Sequence, residues 1–453
     1  MKQQTMARLG AFLGGSSIIA SLMLTSLSAQ AVPSYARQTG EACADCHVGS
    51  FGPQLTPHGM KFKIGGYTDA KDDSFNIPLS GMVVESFTQT SEDQTEIPGK
   101  GFDTNDNFSL QEVSAFIAGR FSENIGTFIQ ITHSEPDRIT AMDSMDARFV
   151  KAIELGGKDT TIGVSLSNNP MVQDPFNTTS VWRFPYTESG LAPGHNADVL
   201  INGGLEIASM GATVYALHDD HWYAEVGGYQ SLADSTLSKI NVETGDKIDG
   251  TAPYWRFAYT NDMHKQAFEV GVFGLSADMF PGGQSGASDK YHDMGVDASY
   301  IWLGTRQHIC TLNASYVHES RTLDAGFNAG EVSKLDGILN RLDVSTSYHY
   351  DNTYGVTFAL FDINGNYDDL LYNNGEADFG SVNGSPDTRG YNIQADFTPW
   401  GKEGSWGAPW ANVRLGLQYT GYNDFNGNSD NYDGLGRDAS DNNTILAFAW
   451  LAF

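Results

Sequence analysis

The sequence predicts an all-β fold, a transmembrane antiparallel β-barrel of about 16 strands preceded by a small α-helical segment. Three observations predict it: two-residue alternation from about residue 77 onward, connections that alternate between short and long, and a final strand closing on Phe453. Composition agrees. The 453 residues include 50 Gly and 12% aromatics but only 18% charged residues, against ~25% charged in an ordinary globular chain. Neither a helical bundle nor a disordered acidic tail has that profile. With 55 Asp+Glu against 26 Lys+Arg, the net charge is −29. That excludes a nucleic-acid partner, which needs clustered cations for phosphate, and favours a surface that attracts cations.

In chain order, residues 1–31 read as a signal peptide. Lys2 and Arg8 precede an apolar stretch densest at Ile18–Leu24, and Ala29-Gln30-Ala31 is an A-x-A cleavage site. Past it no apolar run reaches 18 residues, so no membrane-spanning helix is expected.

Residues 32–76 carry Cys43-Ala44-Asp45-Cys46-His47, a C-x-x-C-H motif of covalent c-type haem attachment. Two thiols form thioethers to the vinyl groups, and the adjacent imidazole is held under the iron as the proximal ligand. A disulfide needs no following His, and zinc needs two more ligands. The motif occurs once, so one haem c is expected and a multihaem wire is not. A segment this short needs a staple, which covalent haem supplies. Thr56-Pro57 reads as an N-cap with Pro at the first helical position, and Gly65-Gly66 ends that helix. Arg37, Lys61 and Lys63 are candidate partners of the haem propionates, and Tyr35, Phe51 and Phe62 candidate haem-packing aromatics. Met60 is the first candidate for the distal iron ligand, with His58, Met82 and an open or water-ligated site as alternatives. Cys310 reads as an inert packed thiol.

From residue 77 to 453 the period is two. In 341–350, Leu342, Val344, Thr346, Tyr348 and Tyr350 alternate with Arg341, Asp343, Ser345, Ser347 and His349. Residues 391–397 and 411–419 repeat the pattern. A soluble sandwich alternates too, so loop lengths decide. Short turns are expected at 122–126, 156–159, 218–221, 260–264, 304–306, 350–354 and 401–408. Long Asp/Asn/Gly-rich loops are expected at 91–107, 232–251, 278–289, 366–388 and 422–443. Short turns at one end and long loops at the other mark an outer-membrane barrel. Trp222, Trp302, Trp400, Trp410 and Trp450 fit interfacial girdles. Strand 1 then rises from the periplasm into a barrel with an aqueous lumen. The haem segment, tethered by 68–76, fits that lumen as a plug; a periplasmic cap is the alternative.

This order of parts resembles the fused monohaem cytochrome c–porin family of the bacterial outer membrane, of the iron-oxidising type. The likeness rests on Pro33-Ser34-Tyr35-Ala36-Arg37-Gln38-Thr39-Gly40 ahead of Cys43, Cys46 and His47. It continues through Pro53-Gln54-Leu55-Thr56-Pro57, Gly59 and Phe62-Lys63-Ile64-Gly65-Gly66-Tyr67. Looser matches follow at Asn107–Gln111, Ala118–Arg120 and Asn168–Asp174. His58 and Met60 depart from it, standing where the family often has an apolar residue and Arg.

The resemblance implies electron transfer at the outer membrane, an oxidoreductase role. Electrons pass from an extracellular donor, with Fe(II) expected, onto one haem c and on to a soluble periplasmic cytochrome. Because the apolar band of such a barrel is ~25 Å tall, either the haem sits high in the lumen or the donor enters it. The rival readings are a passive porin or uptake channel with a haem-stabilised plug, and a haem enzyme or sensor with an open distal site.

Overall fold

A computed structural model describes residues 32–453 except 75, 207, 241–244, 284 and 374–379. The predicted signal peptide, residues 1–31, lies outside the described residues. Sixteen long strands form the wall: β1 Leu79–Thr90, β2 Asn107–Ser122, β3 Ile125–Ser134, β4 Ile139–Leu155, β5 Lys158–Ser167, β6 Ser209–His218, β7 Trp222–Ser231 and β8 Ala252–Asp262, then β9 Gln266–Phe280, β10 Asp289–Trp302, β11 His308–Thr322, β12 Asp336–Tyr350, β13 Tyr354–Gly365, β14 Thr388–Phe397, β15 Asn412–Asp424 and β16 Thr444–Ala452. Each pairs antiparallel with its sequence neighbour. A two-residue strand, Lys247–Ile248, adds to the end of β9. The ring closes between β1 and β16, with Met82 opposite Ala452. Gly81 and Phe453 exchange backbone hydrogen bonds of 2.7 and 2.9 Å at that seam. Closure leaves no open sheet edge, which a hydrocarbon environment requires.

Burial along the strands is inside-out for a water-soluble protein. On β12, Leu342, Tyr348 and Tyr350 are exposed, whereas Arg341, Asp343, Ser345, Ser347 and His349 are buried. On β14, Ile393 is exposed and Asn392 and Gln394 are buried. A sandwich would bury the apolar face; this chain turns it outward, toward lipid. No described helix is long and apolar enough to cross a membrane. Trp222, Trp302 and Trp410 are exposed at the short-turn end, as interfacial aromatics are. Trp450 departs from the girdle expectation. Lying between the outward Ala449 and Leu451, it points inward, fully buried, with its ring 5.0 Å from Phe51. Cys310 is exposed on the outer face of β11, so lipid surrounds it rather than protein core.

The short turns fall where expected, at the end that also holds the start of β1 and the close of β16. The longest connection, 168–208, belongs to the opposite end but turns inward. Its Met171, Val172, Val181, Trp182, Ala197, Val199, Ile201 and Leu205 pack against inward Tyr229, Tyr254, Phe273, Leu275, Val317, Leu339 and Ile363 of the wall. The upper lumen therefore holds an apolar core, a correction to the expectation of an aqueous interior. Alternation assigns polar residues to the inner face on average, and this loop selects apolar ones where it docks.

The N-terminal segment enters from the short-turn end. Helices α1 Pro33–Thr39, α2 Cys43–Cys46 and α3 Pro57–Ile64 carry it. Thr56 caps α3 by accepting from Gly59 N, and Pro57 opens the helix. Tyr215 donates its hydroxyl to Ile64 O at 2.7 Å. Asn412 donates to Ser50 O at 2.7 Å, and Arg414 to Gly52 O and Phe51 O at 3.3 Å each. Inward polar side chains of the wall thus satisfy carbonyls of the segment.

Candidate functional site

Cys43, Cys46 and His47 line one cavity of about 810 Å³, counted with its open mouth. Three parts of the chain build it. α1 contributes Tyr35, Ala36 and Thr39; α3 and the residues before it contribute Pro53, Leu55, Gly59, Phe62 and Lys63; the inward loop contributes Asn177 and Trp182. Tyr67 and Phe128 complete the wall.

Local chemistry explains the convergence. His47 follows directly on α2, and an isolated bridge to Leu55 folds 47–55 into a hairpin. Thr56 N donates to Cys46 O at 2.9 Å, drawing the start of α3 against the motif. Gly59 permits that approach, because a Cβ there would overlap the Cys46 carbonyl. The aromatic wall interlocks: the Tyr35 ring lies 5.0 Å from Phe62, edge to face, and 5.5 Å from Tyr67, stacked. Both hydroxyls are held away, Tyr35 on Thr127 O at 2.7 Å and Tyr67 on Asp146 Oδ2 at 2.6 Å.

The donor set fits a covalently attached haem. Both motif cysteines are free thiols rather than a disulfide. Nδ1 of His47 is buried without a hydrogen-bond partner of good geometry, though the Gln54 backbone is close enough to favour the charged ring. Burial, then the charge of Arg414, pushes the imidazole down to about 4. It is therefore neutral at pH 7, the form that ligates metal. Burial pushes Cys43 up to about 11, and burial with Glu41 and Asp45 pushes Cys46 up to about 12. The remaining lining, chiefly aromatic and aliphatic, suits a flat apolar macrocycle.

The other candidates separate. Of the three basic residues, only Lys63 reaches the cavity. Its amine donates 2.8 Å bonds to Val172 O and Asn177 Oδ1 and stands 4.3 Å over the Trp182 ring. Burial first, against the attraction of Asp146, brings it down to about 7. Arg37 instead donates to Leu79 O and lies over Trp410, and Lys61 pairs with Asp220 at 3.0 Å. Tyr35 and Phe62 line the cavity, whereas Phe51 packs on Trp450. None of Met60, His58 and Met82 is on its lining. Met60 is buried among Val48, Leu55, Ile64, Val150 and Phe176, beside a separate hollow of about 1330 Å³ at the short-turn face. Met82 is buried with Phe116 and Trp450. His58 is half exposed, its Nε2 2.8 Å from Glu41 Oε2. With Cys46 Sγ, 4.0 Å from that carboxylate, His58 and Glu41 form a three-ligand group that could hold a metal ion.

Sequence reasoning missed the residues that seat the segment. Asp146 and Arg148 form a fully buried pair at 2.7 Å, and Arg148 Nη1 donates to Lys63 O at 2.9 Å. Arg256 joins Asp297 and Glu269 at 2.8 and 3.0 Å, below the inward loop's Asp174 at 3.4 Å. Their signal was present: Asp146 and Arg148 share the polar face of one alternating strand, a costly place for charges unless something in the lumen needs them.

No protein family and no curated protein matches the chain. Among solved structures it is similar to OmpF of Salmonella typhi in complex with daunomycin, at 11% identity and TM-score 0.45, covering 83% of this chain and 97% of that one. It is likewise similar to the anion-selective porin of Comamonas acidovorans, at 12% identity and TM-score 0.45, covering 83% and 98%. For OmpT of Vibrio cholerae the values are 8% and 0.41, covering 83% and 96%. On the evidence of its closed wall and lipid-turned apolar face, the chain is a sixteen-stranded, porin-like β-barrel of the bacterial outer membrane.

Proposed function

We propose that this barrel carries one covalent haem c and transfers electrons at the outer membrane, from an extracellular donor, Fe(II), to a soluble periplasmic carrier. The observation that carries the reading is the meeting of Cys43, Cys46 and His47 on one aromatic-walled cavity inside the barrel. Cys43 and Cys46 would tether the group, and His47 would ligate its iron. The bound haem supplies a one-electron couple. The protein's own part is to fix the imidazole, exclude water with Tyr35, Phe62, Tyr67 and Trp182, and hold the site near the periplasm.

That position bears on direction. The cavity is at the short-turn end, so the haem would sit low in the lumen, close to a periplasmic acceptor. The extracellular side reaches it through the inward loop, which brings Asn177 and Trp182 to the cavity wall. The same loop's apolar core weighs against a passive porin, whose lumen must carry water.

A spectrum of the purified protein before and after Fe(II), with a pyridine haemochrome assay, tests the reading. The expected result is one haem c per chain that turns ferrous on adding Fe(II). A five-coordinate haem that binds small ligands and ignores Fe(II) would favour the sensor or enzyme. Zinc without haem would assign Glu41, Cys46 and His58 to a metal site instead.

A further inference from the structure

We propose that the cavity orients its haem with the thioether edge at the periplasmic mouth and a propionate buried inward, held by the Lys63 amine. The proposal rests on the haem reading above and adds which way the group faces.

The cavity is polarised. Toward the short turns the lining begins at Glu41, Ala42, Cys43 and Cys46, where Ala44 N donates to Gly401 O at 3.0 Å; toward the inward loop it ends at buried Lys63 and Trp182. Thioether bonds fix the vinyl edge at the cysteines, and the propionates of haem lie on the edge away from the vinyls. They therefore point toward Lys63. Charge agrees at both ends. Glu41 at the mouth repels a carboxylate, whereas Lys63 is the one Lys or Arg on the lining among the described residues. An ammonium has three N–H donors. Lys63 spends two on Val172 O and Asn177 Oδ1, leaving the third for the cavity. Burial works against the charge on this amine; the Trp182 face, 4.3 Å away, and a propionate beside it would both favour the cationic form. A buried carboxylate without such a partner would be strongly disfavoured. The consequence is that the periplasmic carrier meets the thioether edge, and that the amine receiving the propionate is fixed by an inward loop from the opposite end of the barrel.

The test uses detergent-purified, haem-loaded full chain, with two readouts: resonance Raman bands of propionate bending, and the midpoint potential by spectroelectrochemical titration. Removing a buried positive charge beside the haem should favour the ferric state. Lys63→Gln is expected to lower the reduced-to-oxidised ratio at fixed potential about tenfold, which is about 59 mV for a one-electron couple, and to move the propionate bands. Lys63→Arg should restore most of both. A Lys63→Gln protein with full haem content, unmoved bands and unmoved potential overturns the proposal. If that variant fails to accumulate, Lys63→Met, which removes the charge but keeps the packing of the side-chain stem, carries the same test with the same overturning result. Absence of haem c from the unaltered protein overturns the function reading as well, whereas a null result in the variants leaves haem c in place and removes only the orientation.

Discussion

Tyr67 donates its hydroxyl to Asp146 Oδ2 at 2.6 Å, and Arg148 Nε closes on the same oxygen at 2.8 Å. One buried carboxylate on β4 thus binds the end of the N-terminal segment and the guanidinium that caps its last helix through Lys63 O. The segment is latched to the wall by charge in the lumen, where water is excluded and an unpaired partner is costly.

Breaking that latch should be more damaging than its hydrogen-bond count suggests. Arg148→Ala leaves Asp146 charged and unpaired, a loss of about 3–5 kcal/mol. Tyr67→Phe removes one bond to a charged acceptor, about 1.5–3 kcal/mol. Protease release of residues 32–67 from intact barrels should rank them in that order, Arg148→Ala first.

The barrel ladder is continuous without the segment, so haem attachment and barrel assembly should separate. Cys46→Ala or His47→Ala should abolish haem-stained bands while heat-modifiable barrel still accumulates in the outer membrane. Loss of the barrel itself would mean that the segment templates wall closure.

Met60 offers a sharp comparison. As distal ligand, its replacement would change the ferrous spectrum. Its place among Val48, Leu55 and Phe176, off the cavity lining, leads to a different expectation. Met60→Ala should keep the spectrum and potential and lose about 2–5 kcal/mol of stability from the cavity left behind. Visible spectroscopy and thermal melting of one variant decide between them.

Acid should loosen an extracellular junction. Asp368 accepts from Ser333 N, Lys334 N, Leu370 N and Leu371 N, tying loop 323–335 to loop 366–387. Burial opposes its charge, but the backbone N–H groups prevail and hold the carboxyl below its ordinary value. A depressed folded value means that the stabilisation is present above the unfolded value of ~3.9 and is lost as pH falls through the folded one. Amide-exchange protection at Ser333 and Lys334, relative to the intrinsic rate, should fall below about pH 4, and Asp368→Ala should show that lower protection already at pH 7.

The acidic C-terminal loop has a structural share. Asp433 accepts from Leu435 N and Arg437 N, and Asp438 and Asp441 cap the turn at Ala439–Asn442 reciprocally; Asp430 accepts from the Ser429 hydroxyl at 3.1 Å. Asp438→Ala should therefore loosen the loop by about 0.5–2 kcal/mol. Changing Asp430, Asp433, Asp438 and Asp441 to Asn keeps acceptors while removing charge. That variant should slow Fe(II)-driven haem reduction at low salt and converge with the unaltered protein as salt shortens the ~10 Å Debye length at 0.1 M. Equal rates at low salt would leave these loops no part in steering the donor.

The barrel was legible in the chain, because a period of two is imposed by strand geometry and the alternation of turn lengths by the membrane. Arg341 to Tyr350 could be sorted into two faces without coordinates. The residues of the candidate site were legible as well, since Cys43, Cys46 and His47 are adjacent in the chain and come to line one cavity. The tertiary structure alone decided which face meets lipid, what fills the lumen, and what surrounds the motif. Trp450 could not be told from a girdle residue, nor Lys63 from Lys61 and Arg37, because each choice depends on partners more than a hundred residues away. Asn177, Trp182, Asp146 and Arg148 come from an inward loop and a wall strand. Their contact with the N-terminal segment arises only when the sheet closes around it, and loop docking and ring closure leave no periodic trace in the chain.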